Sequence, residues 1–251
     1  MTYIVQSTER IRGKGADYET KALLYLMSFR QDSQEISYFA IDFYNDVTGL
    51  NTHANKAWDV QSKGNKSGGP KEIGKELVTL FKNFISELKF DYLILFLATA
   101  PATLRKDNSL TTFGIENIKE RALQSLKQGL IEEANTKEYI DKTLITDVNI
   151  DAFLQVVVFV VNDKTKAEYI KGIIRIAPHF IPEDGVLEGI FNEIRDKQAG
   201  KKNNASVEGV SVERLRDVFC YDRVIGARVH IPAERHALSI SSGTPLPVNS
   251  A

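Results

Sequence analysis

The stretch Ala57-Trp58-Asp59-Val60-Gln61-Ser62-Lys63 decides the fold that the sequence predicts. It has the composition of a β-strand, and Gly64-Asn65-Lys66-Ser67-Gly68-Gly69 after it has the composition of a loop. Side chains alternate along a strand, so Asp59, Gln61 and Lys63 share one face. Polar groups in the middle of an α/β domain need partners, because a buried polar group without one is costly. The strand therefore indicates a functional site as well as a fold.

The segments around this strand predict an alternation of strands and helices. Short runs rich in β-branched and aromatic residues predict further strands at 36–44, 92–98 and 154–161. Apolar residues at helical spacing predict a helix at 15–29, another from Pro70 onward, and one or two within 115–139. This order predicts an α/β fold in which a mixed sheet, with some parallel pairing, is flanked by helices.

The last third of the chain is predicted to be mostly helical, with helices at 164–176, 183–197 and 212–220 and a flexible connector at 197–204. We expect three parts: an α/β core at 1–163, a helical extension at 164–238 packed on or beside that core, and a tail at 239–251. The tail is low in complexity, so we expect it to be poorly ordered.

Composition limits the classes of function. Of the 251 residues, 43% are hydrophobic and 26% are charged, as in ordinary globular proteins. The 32 basic and 33 acidic residues give a net charge of −1, so any phosphate-binding surface has to be a local patch. Cys220 is the only cysteine, which excludes an internal disulfide and favours a reducing compartment. The start lacks a secretory pattern and the longest apolar run is too short to span a bilayer, so we expect a cytoplasmic protein with no membrane partner.

Two carboxylates from other segments are expected near the polar face of the strand. Asp46 follows the predicted strand at 36–44, and consecutive strands usually pair as neighbours, so we expect Asp46 near Gln61. Glu19 lies on the apolar stripe of the first helix, three, four and seven residues before Ala22, Leu23 and Leu26. A carboxylate on such a stripe needs a cation or a hydrogen-bond donor.

These side chains suit a divalent metal. Asp46, Glu19 and the Gln61 oxygen would form a hard, oxygen-rich set of ligands of the kind that Mg²⁺ or Mn²⁺ prefers. Lys63 would point to the same place, where its charge suits a phosphate or an attacking water. Further lysines close to the glycine-rich loop are either contacts to a DNA backbone or an ordinary solvated surface: Lys56, Lys66, Lys71 and Lys75.

Three stretches resemble the PD-(D/E)XK nuclease superfamily, and more narrowly the double-stranded DNA endonuclease domain of bacterial anti-phage effectors of the SAVED-associated CBASS and Lamassu types. They are Gly15-Ala16-Asp17-Tyr18-Glu19, Asn45-Asp46-Val47 and Val60-Gln61-Ser62-Lys63-Gly64. The resemblance implies a restriction-endonuclease-like sheet of four or five strands between helices. It also implies the roles of four residues: Asp46 as the metal-binding aspartate, Gln61 in the Glu/Gln position, Lys63 as the catalytic lysine and Glu19 as the acid of the helix.

The resemblance implies a Mg²⁺-dependent endonuclease that cleaves double-stranded DNA in anti-phage defence. Such effectors carry a separate sensing region, for which 251 residues leave no room. We therefore expect other subunits of the defence system, or self-association, to activate the chain. Asp59 has no role in the family pattern and is either an extra ligand or a salt-bridge partner.

Two plainer interpretations stay open. Gln61 and Lys63 are also consistent with the exposed face of an edge strand, on which Asp59 pairs with Lys63. The near-neutral charge and the helical last third are also consistent with a non-catalytic subunit that binds nucleic acid or assembles with a partner and keeps the nuclease fold.

Overall fold

A mixed β-sheet with helices on both faces organises the chain, in a computed structural model that describes residues 13–42, 44–64, 68–173, 183–202 and 220–222. Within those residues the sheet has six strands and a short seventh: β1 (Tyr38–Ile41), β2 (Val47–Leu50), β3 (Ala57–Lys63), β4 (Tyr92–Leu97), β5 (Thr112–Phe113), β6 (Val157–Val161) and β7 (Cys220–Asp222). Their order across the sheet is β5-β6-β4-β3-β2-β1-β7.

The strand directions bring several loop ends to one edge of the sheet. The strands β1, β2 and β3 form an antiparallel meander, whereas β3, β4 and β6 are parallel to one another. The carboxyl ends of β1, β3, β4 and β6 therefore lie together with the amino end of β2. We call this side of the sheet, marked by Ile41, Val47 and Lys63, the carboxyl edge. In α/β proteins ligands bind preferentially outside the carboxyl ends of parallel strands.

Two layers of helices cover the sheet, each with its own apolar core. The first layer consists of α1 (Gly13–Ser28), α6 (Lys166–Ile173) and α7 (Asp184–Lys202), and it packs on Trp58 and Val60 of β3. The second layer consists of α2 (Pro70–Glu76), α3 (Val78–Phe84), α4 (Glu120–Thr136) and α5 (Asp147–Val156), and it packs on the opposite face. Short 3-10 helices lie at Ser33–Glu35, Ile115–Asn117 and Lys142–Leu144. Within the described ranges no helix has both the length and the apolarity to cross a membrane.

The predicted α/β class is confirmed in its coarse form, a mixed sheet flanked by helices. The predicted strand at 57–63 is β3, and the one at 92–98 is β4. Five of the six β4 residues are buried, as expected for a central strand covered on both faces. The apolar stripe of the first helix is buried as predicted at Ala22, Leu23 and Leu26.

One strand was not predicted. The polar stretch after Asp46 contains β2, which lies between the two strands that we expected to pair directly. It is only four residues long and contains Gly49, and short strands with glycine have a weak sequence signal. Gly49 belongs there because a Cβ at that position would lie 2.9 Å from a methyl group of Ile36. The strand predicted at 36–44 is correspondingly short and covers only Tyr38–Ile41.

Three predicted boundaries were wrong within the described ranges. The strand predicted at 154–161 starts only at Val157, because its first three residues end α5. The helix predicted from Pro70 onward is divided at Leu77 into α2 and α3. The connector predicted at 197–204 is helical as far as Lys202, the end of α7.

The remaining end of the chain is described only in part. Cys220, predicted to end a helix at 212–220, instead begins β7, which pairs with β1. The rest of that predicted helix and the tail at 239–251 lie outside the described residues. The division of the chain at residue 163 stays a prediction.

Candidate active site

The structure brings Asp46 and Gln61 together at the carboxyl edge. Asp46 directly precedes β2, and the pairing of Val47 with Val60 places it across from Gln61. Oδ2 of Asp46 accepts a hydrogen bond from Nε2 of Gln61 at 3.0 Å. The expected proximity of these two side chains is therefore present, although it comes from β2 rather than from the strand before it.

Ser62 holds the same carboxylate from the next position along β3. Its backbone N–H and its hydroxyl donate to Oδ2 of Asp46 at 2.6 and 2.7 Å. Strict alternation along the strand would place Ser62 on the opposite face from Gln61. At the end of the strand its hydroxyl turns toward Asp46 instead, so the orientation of this carboxylate is determined by two consecutive residues of β3.

The other polar atom of the Gln61 amide, Oε1, contacts the second helix layer. Thr79 of α3 donates from its hydroxyl to Oε1 of Gln61 at 2.8 Å. A hydroxyl can also accept a hydrogen bond, so Thr79 fits the reversed amide equally well. In that reversed orientation the Gln61 oxygen, rather than its nitrogen, lies beside Asp46.

Lys63 ends β3 and is paired with a glutamate of the second layer. Its Nζ lies 3.1 Å from Oε2 of Glu76 at the end of α2, and both side chains are partly exposed at 33% and 43%. Exposed ion pairs of this kind stabilise a protein by only about 0–1 kcal/mol. An incoming phosphate can therefore compete with Glu76 for Lys63 at little cost.

Glu19 lies on α1 in the first helix layer, on the other side of the sheet from the Gln61 amide, and is 7% exposed. Its neighbour Tyr18 packs directly on Gly64, where a Cβ would lie 2.5 Å from the tyrosine ring. The first turns of α1 are therefore beside the end of β3. The Gln61 amide lies on the opposite face of the sheet, against the second helix layer.

The structure brings two of the three expected metal ligands, Asp46 and Gln61, into contact, with the nitrogen of the Gln61 amide on the Asp46 carboxylate. In the part of the chain that the structure describes, no three His, Cys, Asp or Glu side chains are grouped so as to hold a metal. The expected ligands are two carboxylates and one amide: Asp46, Glu19 and Gln61. Mg²⁺ commonly binds through one or two carboxylates and keeps several waters or substrate phosphates as its other ligands.

Comparison with known proteins adds no family. No protein-family model, curated protein or solved structure matches the chain.

Asp59 is fully buried in the middle of β3 and accepts three hydrogen bonds. The donors are Nδ2 of Asn45, the Thr48 hydroxyl at 2.9 Å and Nδ2 of Asn83 at 2.7 Å. Burial raises the pKa of Asp59 to about 6, against the opposing effects of these hydrogen bonds and the charge of Lys82. Burial also lowers the pKa of Lys82 to about 8, although the Asp59 charge opposes this.

This environment excludes the edge-strand interpretation. β3 is paired on both sides, with β2 and β4, and Asp59 is 0% exposed. Its partners are Asn45, Thr48 and Asn83, whereas Lys63 pairs with Glu76.

The candidate DNA contacts lie in different places. Lys56 precedes β3 and pairs with Glu35 at 2.6 Å. It is seven residues from Lys63, or about 23 Å at the rise of a strand, so it is not beside the site. Lys71 of α2 pairs with Glu132 of α4 at 2.8 Å, and Lys66 lies outside the described residues.

Sequence reasoning assigned no role to three residues whose side chains make contacts at or next to the site: Ser62, Thr79 and Asn45. No sequence signal could have found Thr79, because its contact depends on how α3 lies on the sheet. Ser62 and Asn45 are adjacent in sequence to Gln61 and Asp46, and that adjacency is the only signal that they carry.

Proposed function

We propose that the chain is a metal-dependent endonuclease of the PD-(D/E)XK type, which hydrolyses phosphodiester bonds of double-stranded DNA with Mg²⁺ or Mn²⁺. The observation that carries the proposal is the contact between Asp46 and Gln61 at the carboxyl edge, with Lys63 two residues further along the same strand. The order of elements supports it: an acidic residue on the first helix, a three-strand meander with Asp46 and Gln61, and then helices that lead to β4.

The residues of the chain would act on the phosphodiester as follows. Asp46 supplies the negative charge for the metal, and Ser62 fixes the direction of that carboxylate. With its amide reversed, Gln61 would offer its oxygen beside Asp46 while Thr79 accepts from its nitrogen, and Glu19 would offer a second carboxylate from α1. Lys63 leaves its ion pair with Glu76 and contacts the phosphate or the attacking water. There its positive charge offsets the negative charge that develops in the transition state. A bound Mg²⁺ or Mn²⁺ supplies Lewis-acid activation and lowers the pKa of a bound water.

The biological role that we propose is that of a nuclease effector subunit in a bacterial anti-phage defence system. The resemblance of the three stretches around Glu19, Asp46 and Gln61 supports this role. Unregulated cleavage of DNA would harm the host. We therefore propose activation by other subunits of the system or by self-association.

Metal binding and cleavage test the proposal in separate assays. We expect calorimetry to detect Mn²⁺ binding by the purified chain and to lose it in Asp46→Asn. We expect nicking of a plasmid with Mg²⁺, measured at increasing protein concentration and with a crowding agent, to fall at least about 100-fold in Lys63→Ala.

Lys171→Ala is the matched control for cleavage. Lys171 of α6 forms a comparable exposed ion pair with Asp184 at 2.8 Å and is not among the candidate site or DNA-contact residues, so its removal should leave cleavage unchanged. Cleavage that persists in Lys63→Ala, or Mn²⁺ affinity that is the same in wild type and Asp46→Asn, would contradict the proposed function.

A second function, a non-catalytic subunit that binds nucleic acid or assembles with a partner, is favoured by the charge distribution. The net charge is −1, and Lys56, Lys63 and Lys71 are each paired with a glutamate. This function predicts DNA or partner binding without Mn²⁺ binding at Asp46 and without cleavage.

A further inference from the structure

The buried carboxylate of Asp59 is linked to the site through the residue that precedes Asp46. Its Oδ2 accepts from the side-chain amides of Asn45 and Asn83, and its Oδ1 accepts from Thr48. The four residues are buried, with exposures between 0% and 8%. A fully buried carboxylate costs folding free energy unless hydrogen bonds compensate for the loss of water.

Asn45 belongs to the turn that presents Asp46 to the carboxyl edge. The turn joins β1 to β2 and is closed by a hydrogen bond from the Asp42 N–H to the Asp46 carbonyl at 3.1 Å. Asp42 has a φ of 56°, in the left-handed region that most residues avoid and that Asp and Asn adopt more readily than other residues with a side chain. Contacts with the surrounding structure have to maintain such a turn. The side-chain bond from Asn45 to Asp59 is one of them, and it lies one peptide away from Asp46.

We propose that Asn45 and Asp59 are positioning residues for Asp46. Asp59 anchors the Asn45 side chain from the rigid middle of the sheet, and this anchor fixes the peptide between Asn45 and Asp46. The Asp46 carboxylate then meets Ser62 and Gln61 in one orientation. The inference rests on the proposed function only in taking Asp46 as a metal ligand.

Hydrogen-bond acceptance at Asp59, rather than its charge, is what the positioning requires. In Asp59→Asn an amide oxygen at the Oδ2 position can still accept from Asn45 and Asn83. The amide nitrogen at the Oδ1 position can donate to the Thr48 hydroxyl, which is also able to accept. Asp59→Asn should therefore preserve the position of Asp46, whereas Asp59→Ala should not.

Asn83 provides a matched control for Asn45. Both side chains are buried, and both donate an amide hydrogen to the same oxygen of Asp59. Asn83 lies on α3 and is distant from Asp46 in the sequence, whereas Asn45 directly precedes Asp46. Alanine at either position should lower the melting temperature, but only Asn45→Ala should release Asp46.

Two measurements on the full chain test the proposal. The first is hydrogen exchange at the Ser62 amide, which donates to Oδ2 of Asp46 at 2.6 Å and needs no metal. After correction for the change in global stability, we expect exchange at the Ser62 amide to be at least about 10-fold faster in Asn45→Ala and Asp59→Ala than in Asn83→Ala. The second is Mn²⁺ titration. We expect Asn45→Ala to weaken binding about 10-fold or more, as loss of a residue that orients a ligand does, and Asp59→Asn to leave it near wild type.

The outcomes separate this proposal from the proposed function. Equal exchange at Ser62 in Asn45→Ala and Asn83→Ala overturns the positioning role, whatever the metal does. Faster exchange in Asn45→Ala and Asp59→Ala than in Asn83→Ala supports positioning even if wild type and Asp46→Asn bind Mn²⁺ equally, and in that case only the metal function fails. Failure of Asp59→Asn to restore slow exchange would show that the charge, and not hydrogen-bond acceptance, holds Asn45.

Discussion

At the scale of single residues, burial and hydrogen bonding act on the pKa of Asp59 in opposite directions, and burial is the larger effect. Its pKa of about 6 in the folded state lies above the ordinary value of 3.8, so the folded state holds this proton more tightly than the unfolded chain does. The stability that follows is fully present below pH 3.8 and is lost as the pH rises through about 6. The difference between the two values corresponds to about 3 kcal/mol.

Asp59→Asn should remove this dependence on pH. We expect wild type to lose about 2 kcal/mol of unfolding free energy relative to Asp59→Asn between pH 4 and pH 7, measured by urea denaturation. Groups that titrate alike in both proteins cancel in the difference. A difference curve that is flat, or that rises in favour of wild type above pH 6, would show that the hydrogen bonds from Asn45, Thr48 and Asn83 outweigh burial.

The sequence predicted that Asp46 and Gln61 lie close together but not what holds them. Proximity of Asp46 to Gln61 followed from chain order alone. The partners of Asp59 stand 11, 14 and 24 residues away, on β2, on a turn and on α3. Their meeting depends on the pairing of β2 and the packing of α3, and neither has a strong local pattern. For the same reason the role of Asp59 could not be assigned from its motif.

At the scale of elements, two glycines allow α2 and α4 to cross at very short distance. A Cβ on Gly74 would overlap the carbonyl oxygen of Leu126, and a Cβ on Gly129 would overlap that of Lys71. Both neighbours are helix backbone, which cannot move without separating the helices. This crossing sets the position of α2, which carries Glu76, the partner of Lys63.

Gly129→Ala should therefore destabilise the chain by at least about 2 kcal/mol, since overpacking against backbone forces the helices apart. Gly189→Ala is the matched control, because Gly189 also lies inside a helix and has nothing within 4 Å of a Cβ. That change should stabilise the chain by about 0.5–1 kcal/mol through the helix propensity of alanine. Thermal unfolding of both variants measures the contrast. Similar melting temperatures for the two variants would mean that α2 and α4 can move apart at a lower cost in stability than their backbone contact implies.

Elements with a long local pattern were predicted correctly, and short or ambiguous ones were not. Helix α1, which is 16 residues long, has an apolar stripe at helical spacing, and strand β4 is a continuous apolar run. Leu154 and Val156 are apolar and no helix breaker follows them, so the change from α5 to β6 at Val157 has no local signal. The hydrogen-bond partners of the sheet determine that boundary: Val157 pairs with Leu93 of β4.

At the scale of the whole molecule, the helices after residue 163 complete the core that holds α1 against the sheet. Tyr169 and Ile170 of α6 and Leu187 and Phe191 of α7 belong to the same apolar cluster as Trp58. Polar contacts join the same helices: Asp17 of α1 pairs with Lys166 and Arg195, and Thr20 donates to Gln198 at 2.9 Å. The sequence showed that this part was helical, but its place in the core is a long-range property that no local pattern carries.

A chain that ends at residue 163 should consequently lose cooperative folding. Removing α6 and α7 exposes the buried face of α1 and one face of the central strands. Each large apolar side chain that is left in water costs about 1.5–3 kcal/mol of stability. Losses of that size at several positions exceed the whole stability of a typical domain. We expect urea denaturation followed by circular dichroism to show no sigmoidal transition for 1–163, while a chain that ends at Asp222 and keeps every described element unfolds cooperatively. A sharp transition for 1–163 would show instead that the α/β core folds alone and that the later helices are an addition to it. Helix α1, which carries Glu19, would then be held by the sheet alone, without support from α6 and α7.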